Sequence, residues 1–336
     1  MITRLLDGRD LRAVETEWAV ARMIRGEATS AQIAGFLTAF RAKGETASEV
    51  GQLVDALLGE AVAITIPGTT VDIAGTGGDR TGAVNVSTMA AIVAAAAAPE
   101  GVTVVKHGGR ASSSQTGSAD MLEQLGISLE PASDQVARTA VELGITFLFA
   151  PRFNPGLRHV SAVRRELATP TVFNLLGPLI NPARPTHQVI GVADRRMAPL
   201  IAEVLASRGR SALLVRGSDG LDKLTTTAAS EVWIVHQGTT TRTVVEPLDL
   251  GIPRAAPAEL RGGTAIDNAR ITRELLAGQR SPIRDVVLLN AAAVLVAVDP
   301  TIESLAEQLH HAMTYCAEAL DSGAANALLD RWILRA

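Results

Sequence analysis

The sequence lacks cysteine pairs, a strong net charge and long apolar runs. Cys316 is the only cysteine among 336 residues, so no intrachain disulfide can form and a reducing compartment is expected. A formal net charge of −4 gives no electrostatic reason to expect nucleic acid or an anionic membrane as a partner. The apolar runs 89–98 and 286–298 are shorter than the roughly 20 residues of a membrane-spanning helix. Since the N-terminus also turns polar too early for a signal peptide, we expect a cytoplasmic protein that binds neither nucleic acid nor membranes.

The rhythm of apolar residues changes near residue 67. Residues 1–66 show helical periodicity, with a capping box at Thr29–Gln32 before one apolar helix face. Beyond them, short β-branched runs alternate with helices up to a helical region from residue 264 onward. The runs are 71–73, 102–105, 145–149, 189–192, 212–215 and 231–235. This alternation predicts a small all-helical domain, 1–66, and a large α/β domain, 67–336, built on a mainly parallel sheet.

A glycine turn follows the first run of the α/β part. Gly75–Asp79 (Gly-Thr-Gly-Gly-Asp) lies between the run 71–74 and Asn85–Thr88, where an alanine-rich helix is expected to begin. Consecutive glycines let backbone N–H groups approach a ligand, and a helix N-terminus carries about half a positive charge, so the arrangement suits a phosphate. No Gly-Lys-Ser/Thr closes the turn, and Arg80 stands where a dinucleotide fingerprint needs glycine. On its own, the pattern fits an ordinary turn equally well.

A second polar loop follows the next run. Lys106–Arg110 (Lys-His-Gly-Gly-Arg) and the serines Ser112–Ser114 bring cations, glycines and hydroxyl groups together directly after the run 102–105. Because the two loops follow consecutive predicted strands, they indicate one large ligand that carries more than one phosphate.

Further motifs complete a set that spans nearly the whole chain. The set consists of Gly75–Asp79, Asn85–Thr88, Lys106–Arg110, Gly117–Asp120, Val163–Leu167, Phe173–Pro182 and Asp219–Lys223. In order and content it resembles the anthranilate phosphoribosyltransferase family of tryptophan biosynthesis. The resemblance implies a pentosyltransferase that moves the 5-phosphoribosyl group from PRPP to the amine of an aromatic acid, anthranilate by default, and releases pyrophosphate. It also implies that part of the segment 165–185 returns to the helical domain, and that this domain joins two chains in a homodimer.

The resemblance implies that the two polar loops bind PRPP and that Mg²⁺ is the cofactor. The residues expected at PRPP are Gly75, Gly77, Gly78, Asp79, Asn85, Ser87, Thr88, Lys106, Ser113 and Ser114. Ser87 matches a magnesium ligand of the family. Lys106 is expected to supply a point charge and the hydroxyl groups neutral donors, because the leaving pyrophosphate must be neutralised in an oxocarbenium-like transition state. No single catalytic residue is identified.

The second magnesium site departs from the family pattern. An Asp-Glu pair is usual there, whereas this sequence has Asp222 followed by Lys223. Asp222 stays a candidate metal ligand, while Lys223 replaces the glutamate. Three outcomes are open: Lys223 pairs directly with pyrophosphate, the second metal binds weakly through Asp222 alone, or catalysis is impaired.

The acceptor pocket also departs from the family. The residues expected to line it are Gly75, His107, Gly109, Asn154, Leu157 and Arg164. Arg164 matches the arginine that grips the anthranilate carboxylate, for which a planar guanidinium is well suited. Gly109 replaces an asparagine, Asn154 a histidine and Leu157 an aromatic residue, which enlarges the pocket and alters its hydrogen bonding. These changes favour another benzoate-type acceptor and predict slow use of anthranilate.

Two further interpretations stay open. A nucleoside phosphorylase resembles this family in fold and in its Lys-His element, although Arg164 and Phe173–Pro182 argue against that interpretation. A PRPP-binding protein with impaired turnover is the non-enzymatic alternative, and Lys223 motivates it.

Overall fold

Helices form the N-terminal part of the chain, and a sheet covered by helices follows, in a computed structural model that describes residues 1–111, 115–298, 300 and 305–335. The first helices are α1 (Ile2–Leu6), α2 (Ala13–Ile24), α3 (Ser30–Lys43) and α4 (Ala47–Glu60). Capping boxes begin α3 and α4, because the Thr29 and Thr46 hydroxyl groups accept backbone N–H groups of the first helical turn.

The sheet has seven strands within the described part of the chain. They are β1 (Thr69–Gly75), β2 (Val102–Gly108), β3 (Ile145–Phe149), β4 (His187–Gly191), β5 (Ser211–Gly217), β6 (Ser230–His236) and β7 (Thr239–Val245). Their order is β3-β2-β1-β4-β5-β6-β7. Strands β1–β5 pair in parallel with one another, whereas the pairs β5–β6 and β6–β7 are antiparallel. The predicted α/β fold with a mainly parallel sheet and a small helical domain is therefore confirmed.

The seventh strand was missed by the sequence analysis. β7 is rich in threonine and mostly exposed, so it shows no apolar alternation. Gln237 and Gly238 join it to β6 with φ angles of +48° and +75°, as a two-residue hairpin turn requires. The Gln-Gly pair was the local signal that could have revealed the hairpin.

The remaining helices pack on the faces of the sheet, on one another or on the N-terminal helices. They are α5 (Val86–Ala97), α6 (Ser118–Gln124), α7 (Ser133–Leu143), α8 (Ala150–Phe153), α9 (Leu157–Leu167), α10 (Phe173–Leu176), α11 (Met197–Ser207), α12 (Ala265–Leu276), α13 (Pro282–Val296), α14 (Leu305–Asp321) and α15 (Ala324–Arg335). The alanine-rich α5 packs between the sheet and α13, since its small side chains let the two helices approach closely. On the opposite face, α11 packs against β5, β6 and α4.

The segment after β3 lies against the N-terminal helices. Helix α9 contacts α2 and α3, and Val160, Val163 and Phe173 belong to the same apolar cluster as the cores of α2–α4. The predicted return of 165–185 to the helical domain and the division at residue 66 both stay predictions. None of the described helices is both long and apolar enough to cross a membrane.

The strand order places a crevice at one edge of the sheet. The chain runs outward from β1 through β2 to β3 and then returns to β4, which pairs with the other side of β1. In open parallel sheets such a reversal leaves a crevice beyond the carboxyl ends of the strands, where ligands commonly bind. Gly75, Gly108 and Gly191 end three adjacent strands at this edge.

Candidate active site at the carboxyl edge of the sheet

The glycine turn after β1 is fastened to the segment after β5. Gly77 and Gly78 have φ angles of +70° and +85°, a region that glycine adopts without strain. The Gly77 N–H donates a hydrogen bond of 2.8 Å to Asp222 Oδ2. Gly75 and Gly191 are register partners on β1 and β4, and a Cβ atom on either would collide with Asp222. Two glycines therefore let Asp222 approach the backbone and hold the turn.

Helix α5 begins directly beyond the glycine turn. Asn85 is its N-cap residue, and its amide donates to the Thr116 carbonyl at 3.1 Å and accepts from Asn268 Nδ2 at 2.7 Å. Ser87 is half-buried in the first turn, and the buried Thr88 Oγ1 has no hydrogen-bond partner within the described residues. The structure thus gives Asn85 a bridging role between segments, and its predicted contact with PRPP stays a prediction. Ser113 and Ser114 lie outside the described residues.

Lys106 lies beneath the glycine turn. Its side chain is 2% exposed, and Nζ donates to the Ile73 carbonyl at 2.8 Å. Burial lowers the pKa of Lys106 to about 8, although the nearby carboxylates of Asp72 and Asp222 favour its charged form. Lys106 is therefore a buried cation with two carboxylates in its vicinity, and its predicted contact with phosphate stays a prediction.

A buried hydrogen-bond network that the sequence analysis missed supports this lysine. Asp72 Oδ1 accepts the His107 backbone N–H at 3.1 Å, and Asp72 Oδ2 accepts Asn181 Nδ2 at 2.9 Å. Asn181 Nδ2 also donates to the Val105 carbonyl at 2.7 Å. Burial raises the pKa of Asp72 to about 6, although the positive charge of Lys106 acts to lower it. The local signal for this network was Asp72, a charged residue inside the otherwise apolar end of strand β1.

Lys223 joins two carboxylates beside the glycine turn. Its Nζ atom lies 2.9 Å from Asp79 Oδ2 and 2.5 Å from Asp222 Oδ1. Burial would lower the pKa of Lys223, but the two carboxylates outweigh it and raise that pKa to about 12. Burial likewise acts against ionised Asp79, yet the Lys223 charge lowers the pKa of that carboxyl to about 2. Lys223 and Asp79 therefore both carry their charges at neutral pH.

These contacts bear on the two candidate magnesium ligands, Asp222 and Ser87. The described residues contain no group of three or more His, Cys, Asp or Glu side chains that could hold a metal ion. Asp222 already has Lys223 Nζ on one oxygen and the Gly77 N–H on the other, so its role as a metal ligand stays a prediction. Ser87, at the start of α5, fits an ion that takes its other ligands from phosphate oxygens and water, as Mg²⁺ commonly does.

Arg164 is a half-buried cation without a protein counter-ion among the described residues. It lies on α9, with its guanidinium 5.7 Å from the Phe173 ring centre and Nη2 3.4 Å from Asn174 Oδ1. No carboxylate in the described part of the chain forms an ion pair with it. Burial lowers the pKa of Arg164, which means that its charge is only partly solvated. A guanidinium in this state is suited to a carboxylate ligand.

His107 supplies a neutral ring close to the same segment. Its Nδ1 lies 3.2 Å from the Gly177 carbonyl, which can only accept, so Nδ1 carries the proton. Burial lowers the pKa of His107 to about 4, and Nε2 is buried without a partner in the described structure. Asn174 and Gly177 thus connect Arg164 and His107 through a single short segment.

The other residues predicted at the acceptor line the ends of β2 and α8. Asn154 is buried, and its Nδ2 has no hydrogen-bond partner within the described chain. A Cβ atom on Gly109 would touch Ala150 Cβ at 3.9 Å, an ordinary contact, so the glycine leaves open space there. Leu157 begins α9, the helix that carries Arg164. Their contact with an acceptor stays a prediction.

Comparison with known proteins gives full-length matches. Residues 1–61 match the family described as "Glycosyl transferase family, helical bundle domain", and residues 67–326 match "Glycosyl transferase family, a/b domain". The chain is 55% identical to the anthranilate phosphoribosyltransferase of Thermobifida fusca over 99% of this chain and 95% of that protein.

Solved structures agree with these matches. The crystal structure of anthranilate phosphoribosyltransferase from Thermus thermophilus has a TM-score of 0.91 and 38% identity, covering 99% of this chain and 98% of the other. The anthranilate phosphoribosyltransferase of Saccharomyces cerevisiae in complex with PRPP and Mg has a TM-score of 0.89 and 28% identity, covering 99% and 96%.

Proposed function

Since this chain belongs to the anthranilate phosphoribosyltransferase family, we propose that it transfers the 5-phosphoribosyl group from PRPP to the amine of anthranilate and releases pyrophosphate. The observation that carries the proposal is that one short segment contacts two groups. Its Asn174 contacts Arg164, a half-buried guanidinium without a counter-ion in the described chain, and its Gly177 contacts the neutral ring of His107. This pair suits a ligand with both a carboxylate and an amine. The glycine turn and the start of α5 supply the donors that a phosphorylated second ligand needs.

On the donor side, the protein binds and orients PRPP rather than reacting with it. We assign PRPP to the glycine turn Gly75–Asp79, to Ser87 and Thr88 at the start of α5, and to Lys106 beneath the turn. Ser87 would hold Mg²⁺ there, and the ion would supply positive charge for the pyrophosphate leaving group. Donors that are already in place cost no reorganisation when negative charge builds up on the leaving group.

On the acceptor side, we assign the carboxylate of anthranilate to Arg164. A fixed carboxylate orients the ortho amine towards the anomeric carbon of the phosphoribosyl group, so that attack becomes effectively intramolecular. His107 is neutral and holds its proton on Nδ1, so the free lone pair on Nε2 suits a hydrogen bond from the amine. Gly109, Asn154 and Leu157 complete the assigned pocket.

The alternative of another benzoate-type acceptor is not favoured. It rested on the changes at Gly109, Asn154 and Leu157, yet the relative from Thermobifida fusca, 55% identical over almost the entire chain, is named for anthranilate. The nucleoside phosphorylase and the PRPP-binding protein without turnover are not favoured for the same reason.

An anthranilate assay tests the proposed function. We expect the fluorescence of anthranilate to fall in the presence of PRPP and Mg²⁺, with one pyrophosphate released for each anthranilate consumed. Excess EDTA should stop the reaction, and added Mg²⁺ should restore it, because the pyrophosphate leaves with its charge neutralised by the ion. Consumption of another aromatic acid from a panel, with anthranilate untouched, would contradict the proposal.

We further propose a homodimer through the helical domain, working in the cytoplasm. The surface of α1 and α2 exposes Leu6, Val14 and Trp18, the last at 53% of its area, and Trp18 lines an open cavity with Met1, Ile2 and Phe36. Exposed apolar groups in one region are common where subunits associate. A single free and buried cysteine, Cys316, is compatible with a reducing compartment.

Trp18→Glu is expected to weaken this dimer. A charge in the centre of an apolar contact loses its hydration without a partner, so the mass measured by light scattering after size exclusion should fall from two chains towards one. Ile266→Glu is the matched control, because Ile266 is an exposed apolar residue on α12, outside the helical domain. A native protein that elutes as one chain would refute the dimer.

A further inference from the structure

The ammonium of Lys223 occupies a position between carboxylates where a metal ion could otherwise bind. It contacts Asp79 Oδ2 at 2.9 Å and Asp222 Oδ1 at 2.5 Å, and the residue is 8% exposed. The other oxygen of Asp222 accepts a hydrogen bond from the Gly77 N–H. One cation therefore holds the end of the glycine turn, at Asp79, and its middle, at Gly77.

We propose that Lys223 is a built-in cation of the PRPP site, so that the enzyme binds PRPP with one divalent ion per active site. The inference rests on the proposed function and adds the number of metal ions and the residue that sets it. Two carboxylates that face one crevice repel each other unless a cation lies between them. In this chain a covalently attached ammonium fulfils that need, and it is present at any concentration of Mg²⁺.

A divalent ion at the same carboxylates does not fit the observed contacts. It would have to displace the ammonium from Asp79 and Asp222, and the side chain is nearly buried. If the ammonium stayed, its charge would repel the incoming ion at close range. The described residues offer no additional His, Cys, Asp or Glu that would complete a ligand set there.

The same ammonium has one donor left for the substrate. A lysine has three N–H groups, and in the described structure Lys223 donates two of them, to Asp79 and Asp222. The third is available for an oxygen of the pyrophosphate group. Lys223 thus both positions the glycine turn through Asp222 and brings positive charge to the phosphates.

The test counts bound Mn²⁺, which replaces Mg²⁺ and is detected by electron paramagnetic resonance, with saturating PRPP and no anthranilate. We expect one Mn²⁺ per active site in the native enzyme and two in Lys223→Glu, where a carboxylate joins Asp79 and Asp222. In Lys223→Met, which removes the ammonium without adding a carboxylate, calorimetry should show at least a tenfold weaker affinity for PRPP. This variant keeps the test decisive if Lys223→Glu does not fold.

Lys43→Met is the matched control. Lys43 is also a lysine with a nearly buried side chain between two carboxylates, those of Asp10 and Glu49, but it lies in the helical domain. Its loss should leave the Mn²⁺ count and the PRPP affinity unchanged. Two Mn²⁺ ions in the native enzyme, one in a folded Lys223→Glu, or an unchanged PRPP affinity in Lys223→Met would each overturn the inference. Native turnover of anthranilate alongside any of these results would leave the proposed function intact.

Discussion

Lys106→Ala is expected to lower kcat/KM for PRPP by about 100- to 1,000-fold, which corresponds to about 3–4 kcal/mol of transition-state stabilisation. Lys106 lies beneath the glycine turn, and its charge faces Asp72 and Asp222. Without it, the crevice that must accept pyrophosphate keeps two carboxylates and loses a cation. The same change removes the cation that offsets the charge of buried Asp72, so the free energy of unfolding should fall by about 3–5 kcal/mol.

Two further variants separate these effects of Lys106. Lys106→Met keeps most of the side-chain volume and removes the charge, and the double variant with Asp72→Asn also removes the negative charge of Asp72. We expect the double variant to regain only part of the stability in urea denaturation, because an asparagine at position 72 keeps one of the two acceptors used by His107 and Asn181, and we expect kcat/KM not to recover. Lys43→Ala is the control for the loss of a buried, paired lysine. It should lower the stability of the protein and leave kcat/KM unchanged. A Lys106→Met enzyme with native kcat/KM would show that PRPP does not use this charge.

Patterns that are local in sequence predicted most of the fold. Each of the strands β1–β6 is a short β-branched run, and the capping box at Thr29 marked the beginning of α3. The polar loops after β1 and β2 could be placed together because parallel strands end at the same edge of a sheet. β7 was missed because its outward residues are polar on an exposed edge, so burial left no pattern in its sequence.

Contacts between distant segments could not be predicted in the same way. Lys223 meets Asp79 across 144 positions, and Asn181 meets Asp72 across 109. Nothing local to either residue specifies its partner, because the pairing depends on how β1, β4 and β5 lie in the sheet. The sequence analysis therefore recognised Lys223 as a departure and left its position open.

The acceptor pocket shows another limit of residue-by-residue inference. The changes at Gly109, Asn154 and Leu157 were treated as independent losses of hydrogen bonding and shape. In the structure, Arg164 contacts Asn174 and His107 contacts Gly177, and both of these partners belong to one short segment. A pocket can exchange residues around such a fixed pair and keep its ligand, and for this reason the acceptor is best tested through Arg164 itself.

Arg164→Ala is expected to lower kcat/KM for anthranilate by about 1,000-fold, or about 4 kcal/mol, and to leave the Kd for PRPP unchanged. The variant removes the only partner that we assign to the anthranilate carboxylate, which would then be bound in the cleft without a counter-charge. Arg164→Lys should recover only part of the loss, because an ammonium cannot form the paired hydrogen bonds of a guanidinium. Calorimetry with each substrate alone measures the binding of PRPP and of anthranilate separately, and steady-state kinetics measures kcat/KM for each of them.

Aniline makes this test specific for the carboxylate. It has the amine of anthranilate but no carboxylate, so the native enzyme should use it poorly and Arg164→Ala should use it no worse. The preference for anthranilate over aniline should therefore collapse in Arg164→Ala and persist in Arg165→Ala, the exposed neighbour on the same helix. If Arg164→Ala kept the native preference, the carboxylate would be bound elsewhere. The half-buried charge of Arg164 would then need another explanation, since no carboxylate of the described residues pairs with it.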